Sequence, residues 1–303
     1  MSSANCNEYM NKFSTLLNWA VREEIVTRNP ARGLRVAETV AARDKRLPFS
    51  SDQLTRMFNA PLYRGCRNDQ NGYAQVGPER PRRARFWIPL IALFSGMRQG
   101  EICQLLTSDI QEVDGVICFA VCADEADAKH LKTSASARLV PVHPMLIRIG
   151  FARYVAARQG AADVRLFPEL MPDRYGRYSG KFSVWFARYL VSCGANAERT
   201  CFHSARHSFR DALRAARVER EVALTLGGWG TSSGSAAGAV ADQYGKGFSA
   251  DHLHKAISMI CYPDLDLTHL YDFGDAPQRN NSGGIRFEAE IGPVGSNRPH
   301  PLF

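Results

Sequence analysis

No apolar run in this sequence approaches the ~20 residues that a bilayer-spanning helix needs, so the chain offers no candidate transmembrane segment. Its first residues, Met1 to Lys12, are polar and lack the apolar core of a signal peptide. A cytoplasmic protein is the expectation. The eight cysteines form no CxxC pair, and none stands at zinc-finger spacing from a histidine. Buried free thiols are therefore expected in place of disulfides or a metal centre. Nor is there a repeat of solenoid period. What the chain does have is positive charge. Among its 303 residues, 38 Lys and Arg face 30 Asp and Glu, for a net +8. From Pro263 onward six acids outnumber three bases, so the part before it is more basic than the whole. A folded body of that charge fits a polyanion, nucleic acid first. Hydrophobic residues at 45% and charged residues at 22% supply enough apolar surface for a core.

The pattern of residues divides the chain. Glu8 to Val26 reads as one amphipathic helix, with Met10, Phe13, Leu16, Leu17, Ala20 and Val21 on a stripe and Asn29-Pro30 as its stop. One helix cannot bury its own stripe. It is expected to dock on the body, or to be the last helix of a truncated N-terminal domain over residues 1–34. Residues 35–47 read as a linker. A new helix starts at Ser50 or Ser51. Pro61 to Arg83 reads as a long loop, and Phe86 to Leu93 is nearly unbroken apolar sequence. Gly115 to Ala123 and Arg138 to Val142 are apolar and β-branched, the two sides of an antiparallel hairpin with a polar tip. Helical patterns follow over Met145 to Gln159, Tyr178 to Cys193, Ser204 to Ala216, Arg220 to Leu226 and Ala250 to Ile260. The fold class expected is mainly α with a small antiparallel sheet (α+β), over residues 48–272, with a disordered tail over 273–303.

Six features follow one another along this frame. Arg98 stands in Ser95-Gly96-Met97-Arg98-Gln99-Gly100-Glu101, and Lys132 in His130-Leu131-Lys132-Thr133 at the hairpin tip. His203 and Arg206 share His203-Ser204-Ala205-Arg206-His207. Trp229 follows Gly227-Gly228, and Tyr244 lies in Asp242-Gln243-Tyr244-Gly245. Each piece alone occurs by chance in many proteins; the ordered set around a strand pair is specific.

In that order the chain resembles the tyrosine recombinases, the phage-integrase family, over Ser14 to Lys255. The resemblance implies a catalytic set of Arg98, Lys132, His203, Arg206, Trp229 and Tyr244. It also implies double-stranded DNA as partner, a homo-oligomer, a tetramer, on that DNA, and DNA-bending accessory proteins. Cleavage through a 3′-phosphotyrosine would need no cofactor, neither ATP nor metal.

Physical chemistry gives each residue type a reason. The negative oxygens of a phosphodiester repel a nucleophile, and two guanidiniums, permanently charged planar forks, can hold them. Arg206 lies one helical turn from His203, so both can face the same oxygens. A tyrosine hydroxyl near its ordinary pKa of ~10 needs surrounding cations to favour the phenolate. The departing 5′ oxygen needs a proton, for which Lys132 is the candidate donor. The Trp229 indole N–H can donate but cannot exchange a proton at neutral pH, which fits positioning. Glu101, three residues past Arg98, is the candidate orienting partner.

Several alternatives stay open on sequence alone. Lys129 competes with Lys132, and Tyr189, Tyr262 and Tyr271 compete with Tyr244. His203 could cap the helix that begins at Ser204. Gly227-Gly228-Trp229 could place a glycine at the tryptophan's position. Arg64, Arg67, Arg80, Arg82 and Arg83 could touch DNA or be solvated. A non-catalytic DNA-binding relative and a type IB topoisomerase are the competing readings of the whole.

Overall fold

The computed structural model describes residues 3–37, 45–122, 137–229 and 247–272. It divides into two compact units, Met1–Leu47 and Pro48–Phe303. No described helix is long and apolar enough to cross a membrane.

The first unit is built on α1, Ser3–Arg22. The helix starts and stops earlier than its stripe predicts. After Arg22 the chain turns through Glu24 at φ 58, and the amides of Ile25 and Val26 both reach back to the Ala20 carbonyl. Asn29 then donates to the Ser14 carbonyl, and Asn7 exchanges two hydrogen bonds with the Val36 backbone. These side-chain amides hold the returning segment along α1. Of the apolar stripe Ala20 is buried, whereas Phe13 and Leu16 stay exposed.

The second unit begins with α2, Ser51–Phe58, whose start the sequence marks well. Ser50 accepts from the Gln53 amide while the Gln53 side chain accepts from the Ser50 amide, a capping box. Pro61 to Arg83 is more ordered than a loop. It contains α3, Pro61–Arg64, and Cys66 bridges to Val76 and Glu79. Arg83 pairs with Asp69, Arg85 donates to the Asp69 and Gln70 carbonyls, and Arg82 donates to the Ile149 and Leu270 carbonyls. Arg82 and Arg83 are thus held by the protein itself. Sequence periodicity has no means of registering such contacts.

The apolar run becomes α4, Ala84–Ser95, with every residue from Phe86 to Ser95 buried. A helix apolar on all sides belongs in the core. Here α4 packs against α9, Ser204–Ala215, and runs into α5, Gln99–Cys103. Three strands follow: β1 (Ile110–Val113), β2 (Val116–Val121) and β3 (Arg138–Pro141), antiparallel in that order. The expected hairpin is β2 with β3, Val121 opposite Arg138 and Cys118 opposite Pro141. The additional strand β1 escapes sequence reading because its exposed Gln111 and Glu112 break the apolar signal.

Met145 to Gln159 is two helices, α6 (Pro144–Arg148) and α7 (Phe151–Gly160). Gly150 separates them at φ 97, and Asp272 fills the space where a side chain would be. Further α-helices among the described residues are α8 (Ser179–Ser192), α10 (Arg220–Gly227) and α11 (Ala250–Ser258). Helix α11 packs on β2, β3 and α10. All the described cysteines are free thiols.

Candidate active site

The site grows from the turn after α4. Gly96 closes that helix in the left-handed region, φ 62, and its amide donates to the Ala92 carbonyl. A Cβ on Gly96 would fall inside the Phe209 ring of α9, so only glycine lets the two elements approach this closely. The Gly96 carbonyl in turn accepts from Arg206 Nη1 at 2.5 Å. One tight turn therefore sets Arg98, two residues on, and Arg206, on another helix, in a fixed relation.

Arg98 occupies the N-cap position of α5 with extended backbone, φ −71 and ψ 148. Its amide donates to Glu101 Oε2 at 2.8 Å and its Nη1 to Glu101 Oε1 at 2.6 Å. Its Nη2 reaches the Gly228 carbonyl at 3.3 Å. The Arg98 side chain keeps 27% of its surface exposed, against 4% for Glu101, so the arginine is the member of this pair that a ligand can reach.

Burial pushes the Glu101 carboxyl up, but hydrogen bonds and charge from Arg138, then Arg98, outweigh it and hold the group below the ordinary carboxylate range. Arg206 is 4% exposed. Burial, with Arg98 and Arg138 beside it, pushes its guanidinium down to about 9, and Glu101 opposes this. It stays charged at neutral pH. Among the described residues, three guanidiniums face one carboxylate, Glu101. An anion that offers two oxygens to a planar guanidinium fork, as a phosphate does, suits such a cluster of cations.

Trp229 follows the end of α10, where Gly228 turns left-handed at φ 56. Two arginines one turn apart on α9 stand over its ring: the Arg206 Cζ is 4.5 Å from the ring centre and the Arg210 Cζ 4.8 Å. The preceding glycines are accounted for by close packing. A Cβ on Gly227 would enter the Trp229 ring, and one on Gly228 would crowd the Arg138 guanidinium. The side chain that meets Arg206 here is the tryptophan.

His203 is exposed and precedes α9 with helical backbone; its side chain makes no capping bond. Its ring centre is 5.2 Å from that of His207. His143 has a structural place: its Nδ1 accepts from the Met145 amide and its Nε2 meets the Ile260 carbonyl. Lys132, its competitor Lys129, and Tyr244 lie outside the described residues. Two rival tyrosines are internally engaged. Tyr189 is fully buried with its hydroxyl donating to the Met57 carbonyl, and Tyr262 donates to the Leu93 carbonyl at 2.8 Å. Burial pushes both phenols up, away from what a nucleophile needs.

Arg138 is the residue that sequence reading passed over. Its side chain is 4% exposed and its Nη2 lies 2.9 Å from Glu101 Oε2. The only local hint is a charged residue at the start of an apolar strand; its partner is 37 positions away.

No family model and no curated protein matches the sequence. Solved structures do. The Tn1549 transposon integrase in complex with a circular intermediate DNA aligns over 83% of this chain and 77% of its own, with TM-score 0.53 and 15% identity. The same integrase with transposon right end DNA aligns over 84% and 78%, with TM-score 0.52 and 16% identity. A lambda integrase tetramer bound to a Holliday junction aligns over 77% of this chain and 60% of its own, with TM-score 0.51 and 18% identity. At such identities the likeness is one of fold. Mainly helical with a three-stranded antiparallel sheet among the described residues, the chain shares the fold of these integrase structures.

Proposed function

We propose that this chain is a site-specific DNA recombinase that breaks and rejoins DNA through a covalent 3′-phosphotyrosine at Tyr244. The observation that carries the proposal is the joint anchoring of Arg98 and Arg206 at one turn, around one buried carboxylate, within an integrase fold. Guanidiniums held this way pre-exist as donors for the non-bridging oxygens, so little reorganisation accompanies the attack.

In this mechanism the Tyr244 oxygen attacks phosphorus as its proton leaves to solvent. The bond to the 5′ oxygen breaks, and that oxygen takes a proton from Lys132. Arg98 and Arg206 hold the non-bridging oxygens as charge builds on them, with His203 as a third donor. Trp229 offers its indole N–H and steadies Arg206. Rejoining is the same step reversed: a 5′-hydroxyl attacks the phosphotyrosine and Tyr244 is released. The bond energy stays in the covalent intermediate throughout. A tetramer of the chain on two DNA duplexes is the working assembly; support comes from the tetrameric lambda integrase complex that shares the fold.

The test is covalent capture. Incubated with nicked suicide substrates carrying its own recombination site, the protein is expected to give an SDS-resistant protein–DNA band. Tyr244→Phe is expected to bind DNA and give no band. An unchanged band in that variant overturns the assignment. Salt-sensitive binding with no adduct on any substrate favours a non-catalytic DNA-binding protein. Relaxation of any supercoiled plasmid, whatever its sequence, favours a topoisomerase.

A further inference from the structure

Arg138, with its side chain 4% exposed, donates to both a carboxylate and a backbone carbonyl inside this site. Its Nη2 donates to Glu101 Oε2 at 2.9 Å and its Nη1 to Glu101 Oε1 at 3.4 Å, a two-pronged grip on the carboxylate. Its Nε donates to the Leu226 carbonyl at 3.0 Å, in the last turn of α10. That turn leads directly to Gly228, whose carbonyl receives Arg98, and to Trp229, which covers Arg206. The residue itself opens β3, paired with Val121 at the end of β2. One planar cation therefore joins three separate pieces of chain: the strand pair, the carboxylate that orients Arg98, and the end of α10.

We infer that Arg138 is a positioning residue for the phosphate-holding arginines, acting through Glu101 and through the end of α10. The inference rests on the recombinase reading given above. Glu101 alone could swing between partners. With Arg138 occupying one side of the carboxylate, both Glu101 oxygens are committed, and the Arg98 fork is left with one orientation. The same guanidinium adds a cation at the negative end of α10, where carbonyls lack partners. A lysine could supply the charge. It could not supply three donors in one plane, two for the carboxylate and one for the carbonyl. Among the described residues the charged groups facing Glu101 are Arg98, at the cap of its own helix, Arg138 from β3 and Arg206 from α9.

The experiment compares the full chain with Arg138→Met, Arg138→Lys, Glu101→Gln and the Glu101→Gln, Arg138→Met pair. Each is assayed for DNA affinity and, at saturating suicide substrate, for the rate of covalent attachment between pH 5 and 9. Arg138→Met is expected to change affinity by less than about 3-fold and to slow attachment by about 30-fold, with Arg138→Lys between it and the parent. Losing this partner raises the Glu101 carboxyl, so the acid limb of the variant's pH–rate profile moves to higher pH. In the Glu101→Gln background removal of Arg138 is expected to add little, because the shared link is already gone. If Arg138→Met does not fold, Arg138→Lys decides, since it keeps the charge and loses the fork. Attachment at the parent rate with an unmoved pH profile in either variant overturns the inference and leaves the recombinase reading standing. A parent protein that forms no adduct overturns both.

Discussion

The Arg206 guanidinium stands over the Trp229 ring with its Cζ 4.5 Å from the ring centre, so the buried cation is steadied by an aromatic face as well as by the Gly96 carbonyl. Such a contact contributes about 0.5–2 kcal/mol. Trp229→Ala is expected to slow covalent attachment about 10-fold, and Trp229→Phe, which keeps a face but loses the N–H, to slow it less. Rates from single-turnover capture check this. Equal losses would assign the effect to the indole N–H and not to the stacking.

Glu101→Gln removes the carboxylate from between Arg98 and Arg138. Uncoupling a buried pair of this kind costs about 3 kcal/mol, or a fall of about 6–12 °C in unfolding midpoint for a body of this size. The pH dependence has a definite sign. The folded carboxyl is held below its unfolded value of ~4.3. Its contribution is therefore fully present above that value and is lost as pH falls through the folded pKa. Denaturant titrations from pH 7 downward are expected to show the gap between parent and variant narrowing toward the acid end.

His143 predicts a second acid-sensitive term. Burial is the main cause that pushes it down from 6.5 to about 4, against a raising contribution from the Ile260 carbonyl. Between those values the unfolded chain binds more protons than the folded one, so stability falls as pH falls. At about 1.4 kcal/mol per unit, its share of the loss from pH 6.5 to pH 5 is about 2 kcal/mol. His254 and His269, also lowered by burial, act in the same direction. His143→Asn keeps a capping side chain and is expected to flatten the slope over this range. An unchanged slope would remove His143 from the account.

Gly96→Ala places a side chain against Phe209 and forces an L-residue into the left-handed region. The two effects together cost about 2 kcal/mol or more. Gly100, one turn on, is the control. A Cβ there meets nothing within 4 Å and the residue is helical, so Gly100→Ala is expected to gain up to ~1 kcal/mol. Thermal melts of the two variants are expected to move in opposite directions.

Local chemistry made much of this architecture readable. The Ser50–Gln53 capping box, the apolar run of α4 and the β2–β3 pair all declare themselves within a few residues. The break at Gly150 is not legible locally, because the apolar period continues across it and Asp272, which fills the space beside the glycine, lies more than a hundred positions away. The order within Pro61 to Arg83 was missed for the same reason, since Arg82 is tied to Ile149 and Leu270. At the site, Arg98 and Arg206 stand out through their short motifs. Arg138 does not, because a buried cation is recognisable only once its carboxylate is in view.

The pairing of Val121 with Arg138 carries an evolutionary constraint. Successive residues of a strand point to opposite faces, so a slip of one position between β2 and β3 would send Arg138 to the far side of the sheet and bring Leu139 to Glu101. Insertions and deletions between residues 122 and 137 are therefore tolerable only where the ladder keeps its phase. The connection can change in length so long as Arg138 stays opposite Val121 and keeps its face of the sheet.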